Sequence, residues 1–567
     1  MLNYKKSGII NKIDSERLHA MLSIYRLLFS LLTTLSIVFT SLFSPVQLKT
    51  PSENFDFSFL EYPAQSVKTL EESGLTPEIL SDRAKGANGG LYLEAQGYDD
   101  VSGIVVSPYY KAKIGDTAIP VYATTVFLGS TQAGALHSFS EIYVKKGSDF
   151  TFNVDIISDG YNIRNAIVLP ESLGVGVGCK NGTATASISD FGIYTFLFNG
   201  AEQEHAFTLF VREKVDEDAE IESLIEEYGK ENITVFEKGV HRIDYLNFKT
   251  DNSILYLKNG AHLIANHKYD IMSEDDEHLY VEQEALTSNA IGLTRMPFIN
   301  FFNCKNVKIL GSGAIDLSSL DRRERRGIVF NFCNEIEVRG VKIFNCPEWS
   351  FITYQCENVD ISETDIFGYK QNSDAYAICN SRNVTVADCF ARSGDDLFDV
   401  KALGGADPAM SKNIVFSGCI AWAGKARCFG ICGEVNREIS NVTFRDCAVI
   451  YKDATWDNER IASLAIIVEI DDGFIDSILF ENIEIFCDDG RAIGCRIYDD
   501  KIENFSATNI TFRNIICTSR LPIGIAAANE TNTVDVMLEN ITANGKKINS
   551  VNSPLLEIDR YASVEVK

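Results

Sequence analysis

The sequence predicts an all-β protein, a right-handed parallel β-helix preceded by an antiparallel β-sandwich. Two observations carry this. After residue 231 a β-branched phrase led by Asn or a similar polar residue returns again and again: NVKILGSG from 306, NEIEVRGVKIFN from 334, NVDISETDIFG from 358, NVTVADCFA from 383, NIVFSGCIAW from 413, NVTFRDCAVI from 441, SILFENIEIF from 477 and NITFRNIICTS from 509. Spacings of 24 to 36 residues between successive phrases suit one coil of a solenoid whose neighbours stack to bury a continuous core. Before it, short alternating runs such as AIPVYATTVFL, DFTFNVDII and HAFTLFVRE are broken by Gly, Asn and Asp, the pattern of a sandwich.

The elements follow in order. Residues 1–44 hold Lys5, Lys6, Lys12, Arg17 and Arg26 ahead of the apolar run LLFSLLTTLSIVFTSLF at 27–43, which Ser44-Pro45 stops. That is a signal peptide or signal anchor, long for a cleaved signal and short for a span. A secreted or cell-surface protein is therefore expected. Residues 45–94 are polar and mixed, a linker with a short helix at KTLEESGLTPEILSDRAKG. Residues 95–214 form the sandwich. Residues 215–231 contain an acidic first turn and helical periodicity, a connector expected to cap the open edge of the solenoid. Residues 232–567 form the β-helix. Its recurring Asn residues are expected at turns, where they tolerate left-handed geometry and hydrogen-bond from coil to coil.

Composition excludes several partners. The 567 residues are 45% hydrophobic and 23% charged, with a net charge of −27. Such a surface repels nucleic acid and anionic membranes, so membrane contact is expected only through the N-terminal anchor. Cys346, Cys389, Cys419 and Cys447 each close a strand-like phrase. This favours a ladder of buried reduced thiols, with room for one or two disulfides. No CxxC pair supports zinc, and no phosphate-binding or dinucleotide fingerprint is present, so no metal or cofactor is expected.

The stretch NSDAYAICNSRNVTVADCFARSGDD places Asp374 about one coil before Asp395 and Asp396. Vertical neighbours on one sheet would each disfavour ionisation of the others, so one should keep a proton near neutral pH. Adjacent residues point to opposite faces of a strand. Asp395 and Asp396 can therefore share one face only if the chain bends, which Gly394 permits. Glycoside hydrolysis needs such an inequality between carboxyls. The plainer reading is that these are turn aspartates, since DD at 471 and 499 shows that paired acids occur here without implied chemistry.

The segment from about 300 to 500 resembles the clan of inverting β-helix glycoside hydrolases that contains polygalacturonases and the dextranase/isopullulanase family. Asn372-Ser373-Asp374 is similar to an N-T-D-G element, Asp395-Asp396 to a D-D pair, and Arg496-Ile497-Tyr498 to an R-I-K element. The resemblance implies Asp395 as general acid, Asp374 and Asp396 as holders of the attacking water, and Arg496 as a substrate ligand. Two departures matter. Polygalacturonases carry Gly-His-Gly where this chain reads ARCFGICGE at 426–434, and Tyr498 replaces the Lys. Loss of these basic groups points away from pectin and towards the dextranase-like branch, which also carries a sandwich ahead of its β-helix. The implied substrate is a polysaccharide or oligosaccharide, a neutral one on this branch.

Other contacts stay open at this level. Trp422 either stacks on a sugar or caps the core. Lys401 and Arg427 are sugar contacts or solvated charges, and Asn372, Arg496 and Tyr498 join them as substrate-binding candidates. Glu434, Glu469 and Asp471 either line a groove or are structural. Trp349 and Tyr369 are candidates for the floor of a subsite. Two other functions compete with hydrolysis. A lyase would need a free base near the carboxylates, and a glycan-binding surface module would need no catalytic acid.

Overall fold

A computed structural model of the chain describes residues 48–567 except 53–54, 66, 68–102, 129–132, 201–205, 267–296, 321–323, 405–408 and 472. The apolar run at 27–43 and the helix expected at 68–86 lie outside the described residues. No described helix is long and apolar enough to cross a membrane.

The expected architecture is found: a right-handed parallel β-helix preceded by a two-sheet sandwich. One sheet contains Tyr122–Leu128, Ala133–Val144, Phe207–Glu213 and Gly192–Phe198. The other is built around Tyr110–Ile114, Phe152–Ser158 and Thr183–Ile188. The pairing is antiparallel except between Ala133–Val144 and Phe207–Glu213, which run parallel.

The region read as linker is partly sandwich. Phe57–Phe59 pairs antiparallel with residues 142–144. Its alternating Phe55, Phe57 and Phe59 pack on the sandwich core, while Leu60 and Tyr62 are buried against the β-helix. Period-2 alternation sorts the strand from Phe207 in the same way. Phe207, Leu209 and Val211 enter the sandwich core, and Phe210 enters the junction with the β-helix.

Each coil contributes to three parallel ladders. The first carries the recurring phrases, including Asn334–Arg339, Glu357–Ser362, Arg382–Ala387 and Ser411–Ser417. Asn358, Asn383, Asn413 and Asn441 all sit at positive φ, 52° to 58°. Each donates its amide to the Asn one coil below, at 3.4, 3.1, 3.0 and 2.8 Å. The Asn recurrence is therefore a turn requirement reinforced by a side-chain ladder. Inside, Phe416, Phe444, Phe480 and Phe512 stack with centroids 4.7–4.8 Å apart. This is the strand spacing repeated in side chains.

All fourteen cysteines are free, and all but Cys179 are buried. Cys389, Cys419 and Cys447 each turn the thiol to the carbonyl two residues back, at 3.2, 3.4 and 3.1 Å. The allowance for a disulfide is thus not used.

The second ladder contains Lys342–Phe344, Asp365–Phe367, Phe390–Arg392 and Ile420–Ala423. Its outer face is covered by the sandwich, with Phe344, Phe367, Phe390 and Trp422 packed against Phe139 and Phe210. The helix Glu217–Tyr228 is capped by Asp216, whose side chain accepts from Ala219 N. It does not close the end of the solenoid. Ile221 and Leu224 lie on the outward Ile254, Tyr256 and Leu310, which would otherwise be bare. The third ladder runs through Phe351–Tyr354, Tyr376–Cys379, Phe398–Ala402, Phe429–Val435 and Ala462–Asp471.

Candidate active site

The carboxyls lie at the entry to the third ladder. Asp374, Asp396 and Arg427 each stand two residues before a core aromatic: Tyr376, Phe398 and Phe429. Those rings stack at 5.0 and 4.9 Å and are in register from coil to coil. Ala375 and Tyr376, Leu397 and Phe398, and Cys428 and Phe429 are consecutive pairs that both enter the core. Strict alternation is therefore broken at each corner, and the residue ahead of the pair is left outside the core. Backbone bonds confirm the stack: Ala375 N donates to Asp396 O at 2.8 Å and Leu397 N to Arg427 O at 3.0 Å.

A bend falls at Gly394 and Asp395, as expected. A Cβ on Gly394 would lie 2.0 Å from Lys370 O, so the corner needs glycine for close approach. The turn is held by Ser373 Oγ, which donates to Lys370 O at 2.6 Å and accepts from Gly394 N at 3.0 Å.

Asp374 and Asp396 are buried, whereas Asp395 is half-buried. Asn372 Nδ2 donates to Asp395 Oδ2 at 3.4 Å. Burial, then the Asp396 charge, pushes the Asp395 carboxyl up to about 6, against the pull of Arg427, Lys401 and Lys425. Burial, then Asp395, holds Asp374 well above the ordinary carboxylate range, against Lys401. The cluster thus retains a proton, shared among strongly interacting groups.

Lys401 and Arg427 are neither solvated charges nor free sugar ligands. Lys401 is buried, with Nζ 2.8 Å from Asp399, 3.3 Å from Glu434, 3.7 Å from Asp374 and 3.8 Å from Asp396. Burial opposes its charge, but Asp399 and then Glu434 outweigh it and raise its pKa well above the usual lysine value. Burial likewise pushes Asp399 up to about 7, against Lys401. Arg427 Nη1 donates to both oxygens of Asp396 at 3.3 and 3.0 Å, and Nη2 to Glu469 at 2.6 Å. The stretch ARCFGICGE at 426–434 therefore places a guanidinium against the carboxylate.

Trp422 is not at this site. It is 1% exposed on the second ladder, with the Arg392 guanidinium 3.8 Å from its ring centroid. A sugar could reach it only if that face were open, and the sandwich closes it. Arg496 pairs with Glu459 at the rim. Tyr498 is exposed, and its hydroxyl donates to Asp457 at 3.1 Å. Trp349 lies 5.3 Å from Lys401 Nζ, next to the carboxyl cluster, whereas Tyr369 is buried.

Sequence reading missed Asp399 and Arg460. Arg460 holds Glu469 through Nε at 3.0 Å. The phrases Trp349-Ser-Phe, Asp374-Ala-Tyr, Asp396-Leu-Phe and Arg427-Cys-Phe repeat one pattern one coil apart and mark the corner residues, but they contain neither Asp399 nor Arg460.

Asp396, Asp399 and Cys432 bring ligand atoms within 4.8 Å of one another. The set does not suit a divalent ion. Lys401 already provides the positive charge, and burial raises the Cys432 thiol well above its usual value.

Comparison with known proteins agrees with this fold. Residues 311–555 match the family described as Glycosyl hydrolases family 28. A Polygalacturonase QRT2 from Arabidopsis thaliana is 23% identical over 258 residues, 41% of this chain and 55% of that protein. The chain thus spans about half the length of that relative. Dex49A from Penicillium minioluteum superposes with a TM-score of 0.56 at 12% identity, covering 92% of this chain and 100% of that one. The resemblance to the β-helix glycoside hydrolase clan therefore holds, in the family match to the β-helix and in a fold that extends through the sandwich.

Proposed function

We propose that this protein is a glycoside hydrolase that cleaves a neutral polysaccharide or oligosaccharide with inversion. The observation that carries the assignment is the trio at the Gly394 corner, in which Asp374 and Asp396 are buried and Asp395 alone is half-buried, the carboxyl a leaving oxygen can reach. Asp395 donates its proton to the leaving oxygen. Asp396, gripped by Arg427, takes the proton of the attacking water, and Asp374 beside it helps hold that water. Attack from the face opposite the leaving group inverts the anomeric centre.

Charge supports a neutral sugar. Lys401, Arg427, Arg460 and Arg496 are each spent on carboxylates of the site. With their donors already committed, these four cations are not available to pair with the carboxylates of a polyuronate. The same pairing leaves none of these four free as a lyase base.

A reducing-sugar assay on dextran, pullulan, galactan, rhamnogalacturonan and polygalacturonate tests the proposal, with proton NMR reading the first anomer released. Hydrolysis of a neutral chain to the inverted anomer is expected. The family 28 match and the polygalacturonase relative favour pectin instead, and cleavage of polygalacturonate alone would establish that reading. No cleavage of any polymer would count against hydrolysis.

The pH dependence has a defined sign. An acid raised to about 6 is competent below that value and is lost as pH rises through it. The alkaline limb of kcat/KM should therefore fall near pH 6. A rate still rising at pH 8 would remove Asp395 from the acid role.

A further inference from the structure

Two aromatic side chains stand out at the rim of the carboxyl cluster. Trp456 is 54% exposed and Tyr498 is 42% exposed, whereas Trp422 is 1% exposed. Both flank one guanidinium: Arg460 lies 5.5 Å from the Trp456 centroid and 5.1 Å from that of Tyr498. Arg460 holds Glu469, Glu469 holds Arg427, and Arg427 holds Asp396. On the other side, the Lys425 ammonium lies 5.5 Å from the Trp456 ring, and its charge acts on Asp395. The rings thus sit one layer of side chains from the carboxyls.

They are also fixed. Trp456 Nε1 donates to Lys425 O on the preceding coil at 2.8 Å. Asp457 Oδ1 accepts from Glu459 N at 3.0 Å and Arg460 N at 3.3 Å, and Asp457 Oδ2 accepts from Tyr498. Glu459 ties the same turn to Arg491 and Arg496 on the next coil. A large apolar ring held rigidly in water loses no rotamer freedom on binding, and its indole N–H is already satisfied. What it still offers is a flat face. The neighbouring Arg460 is neutralised by Glu469, so the site recognises shape and C–H surface rather than negative charge.

We infer that Trp456 and Tyr498 form a stacking subsite for one neutral sugar ring of the glycan, beside the bond being cleaved. This rests on the hydrolase reading and adds which part of the chain grips the substrate.

The test uses the purified full chain and neutral tetrasaccharides (isomaltotetraose, maltotetraose and galactotetraose), with trigalacturonate as the charged control. Trp456→Ala is expected to raise KM about tenfold with kcat within about twofold, and Trp456→Phe to recover most of the loss. In the Asp395→Asn background, a neutral tetrasaccharide should quench tryptophan fluorescence, and the added Trp456→Ala should abolish that quenching. An unchanged KM in Trp456→Ala, with hydrolysis intact, overturns the subsite and leaves the enzyme assignment. Absence of any hydrolysis, with quenching that still requires Trp456, supports the subsite and overturns the assignment. No quenching by any neutral probe overturns the subsite.

Discussion

Asp395→Asn is expected to lower turnover about a thousandfold while leaving the thermal midpoint near that of the native protein. Asparagine fills the same volume and keeps a partner for Asn372, but it has no proton of suitable acidity for the leaving oxygen. It also removes one charge from a crowded site. Asp395 raises the pKa of Asp374, so the substitution relieves repulsion and should not destabilise the coil. The variant is checked by initial rates on the polymer that the native protein cleaves, beside a melting curve. Native turnover in a folded variant would end the general-acid assignment. A collapsed midpoint would instead make Asp395 a structural aspartate of the Gly394 corner.

The largest effect on stability is expected at Lys342, far from that chemistry. Lys342 is fully buried where the sandwich meets the second ladder, 2.7 Å from Glu141 and 2.6 Å from Asp365. Arg212 completes the group at 3.1 Å from Asp365 and donates to Asp388 O at 2.9 Å. Burial already pushes the Glu141 carboxyl up, and Lys342 is the strongest influence pulling it down. Lys342→Met would leave two buried carboxyls facing each other and should cost about 3–5 kcal/mol. Chemical denaturation reads this loss. Adding Glu141→Gln should recover part of it, because the uncompensated charge is then removed. A loss under about 1 kcal/mol would show that the junction does not depend on this ion cluster.

Much of the β-helix was legible because its requirements repeat. An Asn at most of the left-handed turns, a β-branched run and a small thiol after it recur because every coil solves the same packing problem. The Asp374 and Asp395-Asp396 spacing was legible for the same reason. Several sandwich strands were readable from alternation, among them Tyr122–Leu128, Phe152–Ser158 and Phe207–Glu213, whereas Tyr110–Ile114, Ala166–Leu169, Val177–Lys180 and the short Phe57–Phe59 were not.

The missed features depend on neighbours distant in the chain. Trp422 and the strands of the third ladder have similar local sequences. The covering of one outer face by the sandwich and the opening of another follow from docking, through Phe139, Phe210 and the Lys342 cluster. Lys401 and Arg427 read as sugar contacts or surface charges because Asp399, Glu434 and Glu469, which neutralise them, lie on other coils or two positions along the same strand. Periodicity along the chain therefore determined the solenoid and the alignment of its acids, since each coil repeats the same short-range constraints. Which face stays open, which cations are spent and which carboxyl keeps a proton were decided only by the folded chain. Burial and charge pairing are sums over groups that the order of residues does not bring together.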